Sequence, residues 1–583
     1  MSDKENIKAY LSHRHLEDVQ QLDFIFSEEN KILVEAAAGY GKTKSMISKI
    51  AYLILTKQVP NPKKILALTF SVNSAYKIKK DVAEQLPIIL KECNIKGVNV
   101  SNRITVSNYH GFCRRILKLY GYLLHKEFRE FDKFVSVGGD SPKDFGESNI
   151  DANISMQLSK WNTSIKNGDM TVVDDYNKLV IEHLILEKYI TYNAILSLAN
   201  KILLDNPELK AFYQAYFPIV IIDEFQDTNY LSFALIETLI SATTKIYFVG
   251  DSLQKIYGFI GAMPNLMNTV AKRYEMRKIE FEKNYRFQRN PEMLLLDKNI
   301  RENARDLSNP IIAENAIIDF VLLDNQQDEA KYILRKVREI CEKDKSKTVA
   351  VLFRNGYASS NLNTKQIADY FTNSKQDCFF ALFTEEDAEY RPFHYECSLI
   401  FSEKLTINQN RLSKKILTEL KKEISDKYKS KLTPTINALI RLLEAFFEKL
   451  YIIYKSISEE DKIILIKETF ESFALRQSLE YVDAKVIFST IHAAKGLEWD
   501  YIIIPDCEQN SLPTYQVCMD CNNGNNCKAL SNKGFLDELR TFYVAFTRAK
   551  ENIYFSASKT DSKGYTKNTS CILKLKGIEI KKI

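Results

Sequence analysis

The chain has 583 residues, more than one hydrophobic core usually accommodates, so about three to five compact units are expected. Hydrophobic residues make up 45% of the chain and charged residues 27%, which is typical of globular proteins and excludes disordered and fibrous classes. The net charge of +6 is a mild basic excess that permits nucleic-acid binding without demonstrating it.

The N-terminal segment, residues 1–20, has no apolar run of the kind that signal peptides contain. No stretch of about 18 apolar residues, the length that crosses a membrane as a helix, occurs in the chain. We therefore expect a cytoplasmic protein without a membrane partner.

A strand, a glycine-bearing turn and a helix follow one another early in the chain. The apolar run Lys31–Glu35 predicts a strand, Gly39 and Gly41 mark the turn, and Lys64–Leu68 predicts the next strand. This order is a βαβ unit, the building block of a parallel sheet that is covered by helices.

The turn itself, Ala36-Ala-Ala-Gly-Tyr-Gly-Lys-Thr43, has the context of a phosphate-binding loop. In such loops backbone N–H groups curl around phosphates at the positive end of the helix, the lysine reaches the β- and γ-phosphates, and the threonine ligates magnesium. Ala36 stands where the first glycine is usual. The residues predicted to contact nucleotide here are Ala36, Ala37, Ala38, Gly39, Tyr40, Gly41, Lys42, Thr43 and Lys44.

Further buried strands follow in two groups. Pro218–Ile222 and Lys245–Gly250 belong to the first group, and Thr348–Phe353 and Tyr501–Pro505 belong to the second. The two groups predict two separate α/β cores.

Two long segments interrupt these cores. Residues 117–207 are rich in Lys, Asn, Asp and Leu with helical patterns, and residues 374–482 contain amphipathic runs such as 438–447. We interpret both segments as mainly helical insertions without internal repeats.

The strand Pro218–Ile222 ends in two carboxylates, Asp223 and Glu224. The carboxyl ends of parallel strands form the edge at which ligands bind, so both acids lie beside the phosphate loop if the two strands are neighbours. Asp223 is then suited to hold magnesium and Glu224 to polarise the attacking water. A solvated acidic turn is the weaker alternative. Such a turn would require only the two acids, whereas the pattern continues through Asp223–Thr228.

Asp223-Glu-Phe-Gln-Asp-Thr-Asn229 resembles the second motif of the UvrD, Rep and PcrA helicases, a family of superfamily-one DNA helicases. Other blocks that resemble this family follow in its order. They are Gln21, Leu68–Phe70 with Asn73–Ala75, Asn108–Phe112, Val249–Ala262, Glu282–Arg286, Thr490–Glu498 and Tyr543–Ala549.

The resemblance implies two RecA-like parallel-sheet cores, each with a mainly helical insertion. The expected domains are core 1 at residues 1–116 and 208–283, its insertion at 117–207, core 2 at 284–373 and 483–583, and its insertion at 374–482.

The resemblance also assigns nucleotide contacts. Gln21, which stands 21 positions before Lys42, is implied to read adenine, with Gln20 as the alternative. ATP is implied to lie between the two cores, with Lys42, Thr43 and the acids on one side. The other implied contacts are Gln254 as γ-phosphate sensor, Arg286 and Arg548 as γ-phosphate arginines of the second core, and Tyr285 and Glu498, of which Glu498 touches the ribose.

Single-stranded DNA is gripped in such proteins by base stacking on aromatic side chains along a basic channel. The implied DNA-binding residues are Thr69, Phe70, Tyr109, His110, Tyr257, Phe259 and His492. Nearby basic residues, Lys77, Lys79, Lys80, Arg114, Arg115 and Lys118, are candidates for phosphate contacts, although such clusters are more often solvated helix faces. Phe259-Ile260 replaces the family's Trp-Arg, which predicts a weaker grip on the DNA backbone at that point.

Four cysteines near the C-terminus, Cys507, Cys518, Cys521 and Cys527, could bind tetrahedral zinc. Their spacing departs from common zinc modules, and the family motifs need no such metal, so free thiols are favoured over zinc.

The sequence thus predicts an ATP- and magnesium-dependent DNA helicase that acts on single-stranded and forked DNA, with 3′→5′ polarity implied by the resemblance, in repair, replication or defence. The rival hypothesis is a DNA-sensing ATPase subunit that works with a nuclease partner, for example in antiphage defence, and unwinds little alone.

Overall fold

The computed structural model describes residues 3–95, 101–145, 149–256, 261–354, 362–384, 387–518, 534–561 and 563–582. The chain forms two compact units. The first comprises Met1–Lys283 and Ser456–Ser472, and the second comprises Asn284–Lys455 and Phe473–Ile583. Residues 456–472 therefore belong to the first unit, although they lie within the segment that the sequence assigns to the insertion of the second core.

The first unit is built on a parallel sheet whose strands are ordered β3-β2-β6-β7-β1-β8 among the described residues. Most of its strands are apolar throughout because helices cover both faces of such a sheet. Two short strands, β4 and β5, pair separately within the insertion. The strands are β1 (Lys31–Glu35), β2 (Ile65–Thr69), β3 (Ile104–Asn108), β4 (Val135–Val137), β5 (Tyr189–Thr191), β6 (Ile219–Ile222), β7 (Lys245–Gly250) and β8 (Arg277–Glu280).

The helices of the first unit begin at polar residues that satisfy their first N–H groups. Asp18, Ser71 and Asn108 each accept a hydrogen bond from a backbone N–H two or three residues inside the helix that follows. The helices are α1 (Asp3–Arg14), α2 (Val19–Phe26), α3 (Lys42–Leu55), α4 (Val72–Glu92), α5 (Tyr109–Tyr120), α6 (Ala152–Lys166), α7 (Val173–Leu179), α8 (Tyr192–Asp205), α9 (Pro207–Tyr216), α10 (Tyr230–Leu239) and α11 (Leu266–Arg273).

The second unit is built on another parallel sheet, ordered β11-β12-β10-β13-β14-β9-β15 among the described residues. Its short strand β11 lies inside the segment that the sequence assigns to a helical insertion. The strands are β9 (Ala316–Leu323), β10 (Val349–Phe353), β11 (Phe379–Ala381), β12 (Val486–Thr490), β13 (Trp499–Ile504), β14 (Ala549–Ser558) and β15 (Ile578–Lys582).

Helices flank this second sheet and form its insertion. One helix of this part of the chain, Glu459–Glu471, packs in the first unit instead. The helices are α12 (Pro291–Arg305), α13 (Gln326–Lys343), α14 (Leu362–Asn373), α15 (Tyr390–Ile407), α16 (Lys414–Tyr428), α17 (Pro434–Ile452), α18 (Glu459–Glu471), α19 (Tyr515–Cys518) and α20 (Phe535–Phe546).

The predicted fold class, two parallel α/β cores with mainly helical insertions, is confirmed by these two sheets. Each sheet brings the carboxyl ends of its strands, and the loops that follow them, to one edge. Within the described part of the chain no helix combines the length and the apolar character that crossing a bilayer requires.

Candidate active site

The phosphate loop joins β1 to α3 at the carboxyl edge of the first sheet. Gly39 and Gly41 have φ angles of +83° and +82°, a left-handed conformation that favours glycine. Lys42 is the first residue of α3, and its ammonium donates a 2.9 Å hydrogen bond to the carbonyl of Ala36. The loop therefore holds Lys42 over its own backbone at the positive end of a helix.

The two predicted acids follow β6 at the same edge. The backbone N–H of Asp223 donates to the carbonyl of Leu68 at 2.9 Å, which extends the pairing of β6 with β2. Asp223 is 6% exposed. Burial raises the pKa of its carboxyl above the ordinary value, the neighbouring Glu224 adds to the increase, and Lys42 opposes it. This mutual influence places two carboxylates and one ammonium close together.

The backbone at Glu224 is left-handed, with a φ of +51°. Such a conformation is uncommon for residues other than glycine and costs on the order of 1 kcal/mol. The turn directs the chain away from β6 immediately after Asp223.

The strands that carry the loop and the acids are not neighbours, because β7 lies between β1 and β6. The sequence-based condition of adjacent strands is therefore not met, and the two sites are linked through β7. Gln226 makes the link, since its Nε2 donates to Glu224 Oε2 at 2.5 Å and its Oε1 accepts from the backbone N–H of Asp251 at 3.0 Å. One buried amide thus joins the end of β6 to the end of β7.

Gln254, the predicted γ-phosphate sensor, belongs to the same network. Its Nε2 donates to Asp251 Oδ2 at 2.8 Å, and both residues are buried. Ser252 donates through its backbone N–H and its hydroxyl to Glu35 Oε1, at 2.8 and 2.7 Å. Glu35 is the last residue of β1, so the block Val249–Ala262, to which Ser252 belongs, is held at the start of the phosphate loop.

The two candidate glutamines for adenine recognition have different surroundings. Gln20 donates to Glu282 at the surface, at 2.9 Å. Gln21 is 2% exposed, and its Nε2 donates to the carbonyl of Tyr40 in the phosphate loop at 3.1 Å. The structure therefore favours Gln21 over Gln20 as the residue beside the nucleotide loop.

The remaining loop residues differ in exposure. Thr43 is half-buried, and Lys44 is exposed and donates to the carbonyl of Arg14 at 2.7 Å. Lys44 is therefore engaged with α1 in this structure.

In the second unit three of the predicted motifs meet. Arg286 forms an ion pair with Glu498 and donates a hydrogen bond to the carbonyl of Thr547. Arg548 is 3% exposed and donates to the carbonyl of Val544 at 2.9 Å. Both predicted arginines thus donate to Thr547, Arg286 to its carbonyl and Arg548 to its hydroxyl at 3.0 Å, and Glu498 lies beside Arg286.

A buried polar network sets the turn that presents Arg286. Asn284 Oδ1 accepts from the backbone N–H of Arg286 at 2.9 Å, and its Nδ2 donates to Asp297 at 3.3 Å. Asp297 also accepts from the hydroxyl of Tyr543 at 2.9 Å. Tyr285, between Asn284 and Arg286, is half-buried.

Two of the predicted DNA contacts, Thr69 and Tyr109, are buried. Thr69 is fully buried at the end of β2, and Tyr109 is 2% exposed with its hydroxyl hydrogen-bonded to Thr228 at 3.0 Å. Neither side chain is accessible to a base in this structure, because both pack inside the core.

Three other predicted DNA contacts are at least partly accessible. Phe70, His110 and His492 are half-buried. Burial lowers the pKa of His110 to about 4 and that of His492 to about 3, so both imidazoles are neutral at physiological pH.

The basic residues of α4 and α5 are largely paired with acids. In particular, Lys79 pairs with Asp461 at 3.0 Å and Arg114 with Glu471 at 2.9 Å, and both acids belong to α18. The further pairs are Lys80 with Glu84 at 3.5 Å and Lys118 with Asp132 at 2.7 Å. The phosphate contacts that the sequence suggests for these cations therefore compete with protein carboxylates.

Tyr257 and Phe259 lie outside the described residues, as do Cys521 and Cys527 of the predicted zinc site. Of the other two cysteines, Cys507 donates to the carbonyl of Ile504 at 3.3 Å, and burial raises the pKa of its thiol well above the ordinary value.

Sequence reasoning missed His15, Glu35, Gln226 and Asp251 as parts of the site. Gln226 and Asp251 lie inside motifs that the sequence does identify, so the motif itself is the available signal. Nothing in the local pattern distinguishes His15, whose position depends on how α1 packs against α3.

Comparisons with known proteins show the family of the chain. The model of the UvrD/REP helicase N-terminal domain matches residues 18–275, and that of the UvrD-like helicase C-terminal domain matches residues 366–560. Together these matches cover more than three quarters of the chain.

Similar full-length proteins carry related names. A "Probable DNA helicase II homolog" of Rickettsia felis is 23% identical over 94% of this chain and 93% of its own length. A protein of the same name from Mycoplasma genitalium is 25% identical over 92% of this chain and 84% of its own. The "ATP-dependent DNA helicase PcrA" of Bacillus subtilis is 24% identical over 94% of this chain and 84% of its own.

Proposed function

Because the chain belongs to the UvrD/Rep family of DNA helicases, we propose that it hydrolyses ATP to move along single-stranded DNA and to unwind forked duplexes. The observation that carries this proposal is the grouping of Lys42, Asp223 and Glu224 at one sheet edge. Two carboxylates beside a lysine at a helix N-terminus are the groups that binding and hydrolysis of a magnesium–triphosphate complex need.

The residues at this edge fit a magnesium ion. Asp223 offers a carboxylate and Thr43 a hydroxyl, and oxygen ligands of this kind are those that Mg²⁺ prefers. When bound with ATP, the ion supplies positive charge against the β- and γ-phosphate oxygens. Lys42 contributes a further positive charge from the loop.

Glu224 is suited to orient the attacking water. Its carboxylate is held by the amide of Gln226, which is itself fixed to the backbone of Asp251. A carboxylate restrained in this way needs little reorganisation when it polarises a water molecule. Gln254, bonded to the side chain of Asp251, is connected to the same network and is proposed to respond to the γ-phosphate.

We assign Arg286 and Arg548 to charge neutralisation at the transferring phosphoryl group, since arginine keeps its charge and offers several donors. Glu498 is proposed to bind the ribose, and its ion pair with Arg286 must then loosen when nucleotide binds. Movement of this pair is a means by which nucleotide could be coupled to translocation.

The test uses the purified chain with ATP, magnesium and labelled forked DNA. We expect single-stranded DNA to stimulate ATP hydrolysis and the chain to unwind a duplex with a 3′ overhang in preference to one with a 5′ overhang. The Lys42→Ala variant is the control for contaminating activity. Hydrolysis by the wild type that DNA does not stimulate would contradict the proposal.

The same assay distinguishes a helicase from the rival hypothesis, a DNA-sensing ATPase subunit. A subunit that depends on a nuclease partner would hydrolyse ATP in response to DNA and yet leave both forked substrates intact. Unwinding by the chain alone would exclude that role as the main one.

A further inference from the structure

His15 is a buried histidine at the end of α1 that faces Gln21, the residue proposed to read adenine. It is 1% exposed. Its Nδ1 lies 2.5 Å from Gln21 Oε1, and its Nε2 lies 2.8 Å from the hydroxyl of Ser48 in α3. The imidazole thus bridges the adenine-reading side chain and the helix that begins at the phosphate loop.

The hydrogen-bond partners define the orientation of the Gln21 amide. The Nε2 group donates to the carbonyl of Tyr40, which only accepts. The other end of the amide, Oε1, must therefore accept from His15, so the imidazole proton is on Nδ1. Ser48 then donates its hydroxyl proton to Nε2.

A reversed amide would be unfavourable at this position. Its oxygen would face the carbonyl of Tyr40, and two acceptors would oppose each other without a proton. Its nitrogen would face His15 Nδ1, and the imidazole would then have to carry its proton on Nε2 toward Ser48. The carbonyl of Tyr40 therefore decides the orientation of the Gln21 amide, and His15, protonated on Nδ1, holds the amide oxygen in place.

In this orientation Gln21 keeps one donor and one acceptor for a ligand. The amide nitrogen has a second proton and the amide oxygen a second lone pair. Adenine presents an N7 acceptor beside an N6 donor, whereas guanine presents two acceptors, N7 and O6. The fixed amide therefore complements adenine, and its oxygen opposes the O6 atom of guanine.

We propose that His15 is a positioning residue that fixes the Gln21 amide and thereby makes the site select adenine over guanine nucleotides. This inference rests on the proposed function, in which Gln21 reads the base of ATP. It adds a residue that the family motifs in this sequence do not include.

The phosphate loop is built to allow this arrangement. A Cβ atom at Gly41 would lie 2.7 Å from Gln21 Nε2, so a larger residue there would displace the amide. The surroundings also keep the imidazole neutral. Burial lowers the pKa of His15 to about 4, the hydrogen bond with Gln21 and the charge of Asp18 oppose the decrease, and Lys44 and Arg14 add to it.

The experiment compares kcat/KM for ATP and GTP hydrolysis by the full chain with saturating single-stranded DNA. His15→Leu removes the Nδ1–H donor and replaces the imidazole with an apolar side chain of similar size. We expect the ATP-to-GTP ratio to fall about fivefold to tenfold, as for the loss of one neutral hydrogen bond. His15→Gln, which retains a donor and an acceptor, is expected to restore the ratio to within about twofold.

Two further variants serve as controls. His394 is an equally buried histidine of the second unit, so His394→Leu should lower overall activity or stability without changing the ratio. Ser48→Ala is the milder variant if His15→Leu does not fold. It removes only the donor to Nε2 and should reduce the ratio by about twofold.

The outcomes separate the inference from the function on which it rests. If Gln21→Leu lowers the ratio while His15→Leu and Ser48→Ala keep the wild-type value, the role of His15 is overturned and adenine reading by Gln21 stands. Equal falls for His15→Leu and His394→Leu would mean a structural effect and would also overturn it. If Gln21→Leu leaves the ratio unchanged, adenine recognition by Gln21 is wrong and the inference fails with it.

Discussion

The nucleotide edge of the first sheet and the surface formed by α4 and α5 belong to the same unit, and both were expected to bind ligands. At the nucleotide edge, side chains such as Gln226 and Asp251 hold the predicted catalytic groups in place. On the α4–α5 surface Tyr109 is buried and Lys79 is paired with an acid of α18, whereas Phe70 and His110 are half-buried.

The difference reflects how each site is built. The nucleotide edge is made of loops that directly follow buried strands, so the chemistry is encoded in a few consecutive residues. The α4–α5 surface depends on what packs against it, and its partner, α18, comes from a segment nearly 400 positions along the chain from α4. Substitutions at the nucleotide edge should therefore change the rate of ATP hydrolysis. Substitutions on the α4–α5 surface should change DNA affinity and its dependence on salt.

The largest effect is expected for Lys42→Ala at the nucleotide edge. Loss of the ammonium removes a positive charge from the phosphates and from the neighbourhood of two carboxylates, so kcat should fall at least about 100-fold. DNA-stimulated ATP hydrolysis under saturating ATP measures this. Lys272→Ala is the matched control, because Lys272 is an exposed lysine of α11 in the same unit, and it should retain most activity. Full turnover by a clean Lys42→Ala preparation would contradict the assignment of the nucleotide edge as the ATPase site.

The sequence predicts the parts of the fold that local patterns encode and misses those that depend on tertiary pairing. The strands Lys31–Glu35 and Lys245–Gly250 are predicted with the bounds of β1 and β7, because each is a continuous apolar run. Strand β8 gives no such signal, since three of its four residues are charged and exposed and it lies at the sheet edge. The sequence did not predict that β7 lies between β1, which carries the phosphate loop, and β6, which carries the two acids. Strand order depends on tertiary pairing, which local patterns do not contain.

The site residues show the same limit. Lys42, Asp223 and Glu224 stand out from local motifs. Tyr109 also lies in a motif, yet its ring is buried against the core, and exposure cannot be read from a motif alone. Ion pairing of Lys79 with Asp461 spans 382 positions, and no local pattern contains it.

On the α4–α5 surface the next largest effect is expected for Phe70→Ala. Phe70 follows β2 directly and is half-buried, so part of its ring is available for stacking with a base. Loss of one stacked base costs about 1–3 kcal/mol, so DNA affinity should fall roughly tenfold. Fluorescence anisotropy with a labelled single strand measures the change. Basal ATP hydrolysis without DNA should stay close to the wild-type rate, and an equal loss in both assays would mean that Phe70 is a packing residue.

A smaller effect of opposite sign is expected for Glu468→Gln in α18. The Glu468 carboxylate lies against Gly111 at the start of α5, among charges from three helices. Removing its charge lowers the negative potential at this surface, so single-strand binding should strengthen about twofold to fivefold, and the salt dependence should steepen by at most about 0.7, the value for one additional phosphate contact. The charged and titratable groups around it are Lys79, Arg114, Arg115, Glu471, Asp461 and Tyr76.

The effect of Glu468→Gln should also depend on pH. Burial raises the pKa of Glu468 to about 7, with Lys79 opposing and Glu471 adding to the increase. A carboxyl with a raised pKa is mostly neutral at pH 6 and charged at pH 8, so wild type and variant should differ at pH 8 and converge at pH 6. Glu460→Gln, an exposed position of the same helix, controls for general charge. If both variants change DNA affinity equally, α18 has no specific role at this surface.

The smallest effect on DNA binding is expected for Tyr109→Phe, the buried counterpart of Phe70. The hydroxyl of Tyr109 bonds to Thr228, and the ring is packed among core residues, so the substitution removes a hydrogen bond and no accessible surface. We expect a loss of about 1 kcal/mol in the free energy of unfolding and single-strand affinity within about twofold of the wild type. Chemical denaturation and anisotropy on the same preparation measure both quantities. A large loss of DNA affinity with unchanged stability would mean that the ring becomes exposed when DNA binds, and the contrast between the two surfaces would then hold only for the DNA-free protein.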